Sequence, residues 1–322
     1  MVRQVFDAPV TRRLGSALGT LLGVAVAVFV MLRAIPGDEI TAAYGTESAA
    51  LSETQRAALE RYYGMDQPLP LQFFTWIGEL LTGNLGYSAR ADASVVELIA
   101  SSLPVTIELG ILSILLALLI GVPLGMLTAS RPDSPRDWLG QGIALAGLGV
   151  PSFLLASALL TITAQGGFNP NGLGYARPWE DPVLNLQQMV IPALVLGFAI
   201  AAPIMRTTRT AVLEVRGLDF VRTARAKGVP RQRLQRRHVL RNALIPIVTM
   251  TGMQFGFLLG GAVVVEQIFS LPGIGRQVLL GINQKEYAVV QSSVLVIALL
   301  FVLVNLATDL LYRRIDPRVG AA

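Results

Sequence analysis

The sequence predicts an all-α, polytopic membrane protein with six transmembrane helices. Three observations carry that expectation. Hydrophobic residues make up 53% of the 322 and charged ones only 15%, well below the usual quarter of a soluble domain. The mean hydropathy is +0.58. The apolar residues gather in runs near the ~20 residues that cross a hydrocarbon core. The net charge of +5 is not a nucleic-acid signature, because the basic residues flank apolar runs. The absence of cysteine removes disulfides, thiolate metal sites and cysteine nucleophiles.

In chain order, the first span is expected at about Leu14–Leu32, after Arg12 and Arg13. With no small-residue cleavage site behind it, it reads as a retained span rather than a removed signal peptide. The others are expected at about Val105–Leu127, Trp138–Thr163, Met189–Met205, Ala243–Val265 and Val289–Tyr312.

The polar segment 33–104 reads as an extracytoplasmic helical insertion. Ser52 and Gln55 have capping-box spacing, so a helix should run from about Glu53 to Tyr63 and stop at Gly64. Asp66-Gln-Pro-Leu-Pro70 reads as a break. Leu71–Leu81 reads as an amphipathic helix ending at Gly83. Its aromatics, Phe73, Phe74 and Trp76, serve either a packed cap over the first two spans or a docking surface for an outside partner.

Residues 206–241 carry eleven Arg or Lys against two acids, Glu214 and Asp219. At about 2.5–3.5 kcal/mol each at the bilayer centre, eleven cations would cost roughly 30 kcal/mol, so this stretch lies outside the lipid. Lys and Arg excess marks the cytoplasmic side. With both termini inside, three basic residues precede the first span, two separate spans two and three, and three close the chain. The short outside loops then carry only Arg177, Arg276 and Lys285, and four more lie in the long segment 33–104.

Within the basic loop, Asp219 suits a helix N-terminus. Phe220 to Lys227 continues with good helix formers, and Gly228 is a natural residue just past the helix end. Pro230 fits the first turn of a second short helix running through RQRLQRRHVLR toward Asn242. Ala224 and Ala226 would let another backbone approach closely. A polybasic segment held to anionic lipid explains the charge, at about 1 kcal/mol per basic residue, but not this helix–Gly–helix order.

DFVRTARAKGVPRQRLQRRHVLRNALIP resembles the coupling loop of ABC importer permeases. IPGDEITAAYG, GMDQPLPLQF, GNLGYS, LPVTIELG, GVPSF, RNALIP and VVVEQIFSLPGIG extend the resemblance over nearly the whole chain. They are similar to the first of the two permeases in dipeptide, oligopeptide and nickel importers. The resemblance implies a pore-forming subunit in the cell inner membrane that pairs with a homologous second permease. It further implies two ATP-binding-cassette ATPases below and an extracytoplasmic substrate-binding protein above. Asp219, Phe220, Thr223, Ala224, Arg225, Ala226, Lys227, Gly228 and Pro230 would form the knob docking in the ATPase. Thr223 stands where the loop signature has Glu, which removes an acidic contact there.

No GxxxxGK[ST] phosphate loop is present, so the chain is not expected to be an enzyme or to hold a cofactor; ATP and magnesium would sit on the partner ATPases. A lone His238 in a basic helix reads as a surface or interface residue, and no metal-ligand cluster appears. Glu266 at the outer end of span five is a gating candidate or a tie to the partner permease. Gln254 is a pore candidate on the same span, whose Gly252, Gly256, Gly260 and Gly261 suit a permease–permease contact. Glu108 near the start of span two is a cavity-facing candidate, and Asp309 with Arg313 and Arg314 reads as a membrane-edge pair. A secondary transporter or channel without ATPases is the alternative, but such carriers show internal repeats and intramembrane charges that are not evident here. Peptides are the first expectation for substrate, with nickel chelates, glutathione and oligosaccharides as alternatives.

Overall fold

The computed structural model describes residues 10–34, 40, 51–62, 64–166 and 174–315. Most of the IPGDEITAAYG stretch, much of the Gly- and Asn-rich loop after Gln165, and the side chains of Asp309, Arg313 and Arg314 lie outside the described residues. The helices are α1 (Val10–Ala34), α2 (Glu53–Tyr62), α3 (Leu69–Leu81), α4 (Val95–Ser130), α5 (Pro135–Gly149), α6 (Ser152–Gln165), α7 (Pro182–Arg216) and α8 (Asp219–Ala226). They continue as α9 (Arg231–Ile268), α10 (Ile274–Gln284) and α11 (Tyr287–Ile315). Among the described residues five helices are long and apolar enough to cross a membrane, and a sixth span is reached if α5 and α6 count as one.

The third span is therefore not the single helix expected over Trp138–Thr163. α5 and α6 meet at a 94° bend. Pro151 causes it: its ring disfavours helical geometry at the residue before, and it has no N–H to donate. Val150 is accordingly extended, at φ −86° and ψ 116°. The hydropathy pattern is blind to this because the residues on both sides of the bend are apolar.

Other boundaries move outward. The helix of the second span begins at Val95, inside the polar segment. α7 runs on through Arg216, so the first turns of the basic stretch are helical rather than loop. The second short helix expected after Gly228 is not separate either. Pro230 caps it from outside, and it continues from Arg231 through a π-helical turn, Leu234–Leu240, into the fifth span.

The chain divides into two compact units. One comprises Ile107–Leu271 and the chain from Leu303. Its centre is α7, which buries Met189, Val195, Leu196, Ile200, Ile204 and Met205. Glycines set its closest approaches. A Cβ at Gly121 would lie 2.8 Å from the Ala201 carbonyl oxygen, and one at Gly125 would lie 2.6 Å from that of Met205. The four-residue spacing puts both glycines on one face of α4, so two backbones pack where side chains would hold them apart. Gly252 lies likewise against Thr308, where a Cβ would be 2.7 Å from its side chain. That glycine is used inside the chain rather than for the permease–permease contact expected of it.

The other unit comprises Pro9–Thr106 and Pro272–Val302. Here the capping box closes as expected: Ser52 N–H donates to Gln55 Oε1 at 3.0 Å, and Gln55 N–H to Ser52 Oγ at 3.3 Å. α3 starts two residues earlier than expected, with Pro68 as its cap and Pro70 in its first turn. Its aromatic face packs on α1, Phe29 meeting Phe73 edge-on at 5.2 Å and Trp76 at 6.0 Å. Trp76 also lies against a buried cluster of Val28, Leu32, Tyr287 and Val290. An unexpected hairpin, β1 (Tyr87–Ser88) with β2 (Ala93–Ser94), precedes α4. Glu286 holds it by accepting from Ser88 Oγ at 2.7 Å and Arg90 N–H at 3.2 Å.

Candidate functional site

The short helix α8 is built by local chemistry and anchored by one side chain. Asp219 sits in its first turn, where a carboxylate suits the positive end of the helix dipole. Thr223 Oγ donates back to the Asp219 carbonyl at 3.0 Å. At the far end Gly228 adopts φ +75°, a left-handed conformation that side-chain-bearing residues resist. It donates to the Arg225 carbonyl at 3.0 Å, and Val229 N–H donates to that of Ala224 at 3.2 Å. These two bonds make a Schellman motif. The apolar contact that accompanies such motifs is present, since Ala224 and Val229 pack on one hydrophobic cluster.

That cluster holds α8 under the helix ends. Val221 is fully buried among Ala129, Ala211, Val212, Val215, Leu234, Val239, Ala243 and Ile247. Burying one such aliphatic side chain stabilises by about 1.5–3 kcal/mol, enough to fix a helix of eight residues that would not persist alone. The remaining surface of α8 is presented outward. Asp219, Phe220, Thr223, Arg225, Ala226, Lys227, Gly228 and Pro230 are exposed, and Ala224 is half-buried. The Asp219–Arg222 ion pair at 3.5 Å is solvated on both sides and contributes little.

Two arginines of α7 tie this region to neighbouring helices. Arg216 donates to the Ala129 carbonyl near the end of α4. Arg209 forks onto Asp137 in the first turn of α5, with Nε to Oδ1 at 2.8 Å and Nη2 to Oδ2 at 2.7 Å. Asp137 also accepts from Asp133 N–H and Gln141 Nε2, each at 3.0 Å, and its side chain is only 1% exposed. Sequence reasoning misses this pair. Asp137 after Ser134-Pro135 reads as an ordinary helix-start acid, and nothing local couples it to an arginine 72 residues away.

The pore and gating candidates do not converge. Gln254 is half-buried on α9, and Glu266 is completely buried near the end of the same helix. Glu108, the cavity-facing candidate, is half-buried and accepts from the Tyr175 hydroxyl at 2.8 Å. Asn185 Nδ2 reaches that hydroxyl at 3.1 Å and the Ala176 carbonyl at 3.0 Å. Gln188 completes the anchor by accepting from Ala176 N–H at 2.9 Å and donating to the Gly174 carbonyl at 2.6 Å. Burial first, and the Glu108 carboxylate second, push the Tyr175 hydroxyl well above its ordinary value and keep it protonated. An open groove of about 520 Å3 lies along α7, lined by Arg206, Thr207, Thr210 and Glu214 and walled by Pro246 and Met250 of α9. None of the three candidates lines it. His238 is half-buried in the π-helical turn, and among the described residues no three His, Asp or Glu side chains are placed to hold a metal.

The family described as binding-protein-dependent transport system inner membrane component matches residues 121–321, and its N-terminal membrane-component counterpart matches 8–110. The chain is 40% identical over 312 residues to a glutathione transport system permease protein of Salmonella paratyphi A, covering 96% of this chain and 98% of the relative. It is 37% identical over 330 residues to a dipeptide transport system permease protein of Alkalihalophilus pseudofirmus, covering 96% and 98%. The solved methionine ABC transporter in an inward-facing conformation shares the fold, with a TM-score of 0.55 at 20% identity over 68% of this chain and 96% of that one.

Proposed function

The chain belongs to the binding-protein-dependent transport system inner membrane component family, and from that premise we propose that it carries short peptides, glutathione among them, into the cell. It is a pore-forming permease subunit of an ATP-binding-cassette importer. The substrates for which its relatives are named support the peptide reading. In this reading both termini face the cytoplasm, a homologous permease completes the pore, and an extracytoplasmic binding protein delivers the solute. Two ATPases bind ATP and magnesium and perform the hydrolysis.

The observation that carries the coupling reading is α8 itself. It is a rigid eight-residue helix ended by Gly228, anchored by buried Val221, with its small and polar face turned outward. A partner shifts a two-state element only through differential affinity for its two states. A knob gripped differently by open and closed ATPases supplies that difference, and α8 follows α7 after a single break at Gly217. Co-purification tests it. Gly228→Asp should still insert but strain the left-handed end of α8 and lose the ATPases, and Ala226→Asp, on the same exposed surface but with ordinary helical backbone, should fold normally and lose them as well; peptide uptake by vesicles should vanish when the ATPases are removed. Uptake that continues without them would establish a secondary carrier instead.

A further inference from the structure

The groove of about 520 Å3 along α7 lies within one compact unit, on the last turns before α8, and its volume falls within the range of small-molecule sites. Its α7 wall is a single stripe, in which Pro203, Arg206, Thr207, Thr210, Ala211 and Glu214 recur every three or four residues. Arg206 and Glu214 stand just over two turns apart, about 12 Å along the axis. Both are exposed, and among the described residues neither side chain has an ion-pair or hydrogen-bond partner. Two hydroxyls lie between them. Other threonines of these helices turn back onto their own backbone: Thr208 Oγ1 donates to the Ile204 carbonyl at 2.7 Å, and Thr249 and Thr251 do the same on α9 at 2.8 Å. Among the described residues Thr207 and Thr210 make no such bond, so their hydroxyls are open to the groove.

Charge and length decide the occupant. α7 has 35 residues, about 52 Å, against a hydrocarbon core of about 30 Å. Its charged end is the one that stands clear of the acyl chains, so the groove opens to water rather than lipid tails. One cation and one carboxylate cancel, which suits a molecule carrying both signs better than a simple anion. An extended chain advances about 3.3–3.6 Å per residue, so a free peptide of two or three residues sets its charged ends about 7–11 Å apart, within reach of both side chains. A single amino acid is too short. We infer that the groove holds a short zwitterionic peptide leaving the pore, its C-terminal carboxylate on Arg206 and its ammonium on Glu214. Thr207 and Thr210 meet the peptide groups between. This site rests on the peptide-import reading and adds to it the side chains that read both free ends.

Thiol protection tests it. The chain has no cysteine, so Met250→Cys places a single reporter on the opposite wall. The full importer with its partner subunits, but without the binding protein, is placed in nanodiscs, and alkylation of position 250 by N-ethylmaleimide is followed by mass spectrometry. Trialanine should slow the reaction, and free alanine should not. N-acetylated and C-amidated trialanine should each be needed at roughly fivefold higher concentration, the upper end for an ion pair open to water. Arg206→Glu or Glu214→Arg alone should weaken protection by at least that factor, and the double variant should restore it, because the charges are exchanged rather than lost. If the charge variants do not assemble, the blocked peptides decide: equal protection by free and blocked forms overturns the site. A thiol that stays unreactive without peptide overturns it too, since a neighbouring subunit then fills the groove. Peptide uptake by vesicles is measured alongside. Uptake without protection overturns this site alone, whereas no uptake of any peptide overturns the import reading and the site with it.

Discussion

Arg209 grips Asp137 through two parallel hydrogen bonds, at 2.8 and 2.7 Å, joining the start of α5 to the helix that leads into α8. The two partners are unequally buried, the Asp137 side chain at 1% exposure and that of Arg209 at 21%. Removing Arg209 strands a carboxylate in a dry site, whereas removing Asp137 leaves a cation that still reaches water. Stranding one member of a buried pair costs on the order of 3–5 kcal/mol. Arg209→Ala should therefore lower the thermal unfolding midpoint of the solubilised complex more than Asp137→Ala does. The reverse order in a melting series would show that the pair is not buried in this way.

The glycines of α4 supply a second prediction. Gly121 and Gly125 face the backbone of α7, and at Gly125 an added methyl would sit 2.6 Å from a carbonyl oxygen. Gly125→Ala must push the helices apart, and overpacking of this kind costs typically about 1–3 kcal/mol. Gly142 on α5 has nothing within 4 Å of its added Cβ. Gly142→Ala should be neutral or slightly stabilising. Detergent-melting curves of the two variants should separate clearly; equal curves would mean that α4 and α7 do not meet at Gly125.

Tyr175 gives a pH dependence. Its hydroxyl is raised above the ordinary value of 10.0 by burial and by the Glu108 carboxylate. A group raised in this sense loses its proton more easily in the unfolded chain. Its contribution is therefore complete below about pH 10 and declines as pH climbs from there toward the folded value. Tyr175→Phe should lower stability at neutral pH, because Glu108 and Asn185 lose a partner, and should flatten the alkaline decline relative to the unaltered protein. Stability followed from pH 8 upward checks it; an unchanged alkaline slope would place Tyr175 in water.

Much of the site is legible in the sequence. Gly228 and the pair Ser52 and Gln55 announce themselves because each acts on backbone groups within a few residues, and Asp219 does so because a carboxylate suits the first turn of a helix. A helix end has orphan donors and acceptors at known offsets, and only certain residues answer them. The position of the spans follows just as directly, since hydrocarbon excludes charge whatever the neighbours are. Pro151 is visible too, but apolar residues on both sides conceal that it turns the chain by 94°.

What the sequence alone determined is thus local or one-dimensional: the all-α membrane class, most spans, and a basic segment with a helix closed by Gly228. The tertiary structure decided which surfaces meet. It placed Gly121 and Gly125 against the backbone of α7, Asp137 in the fork of Arg209, Glu108 under Tyr175, and Val221 in the cluster that steadies α8. Those choices depend on contacts between residues far apart in the chain. Their energies exist only once the helices have packed, so no window of neighbouring residues contains them.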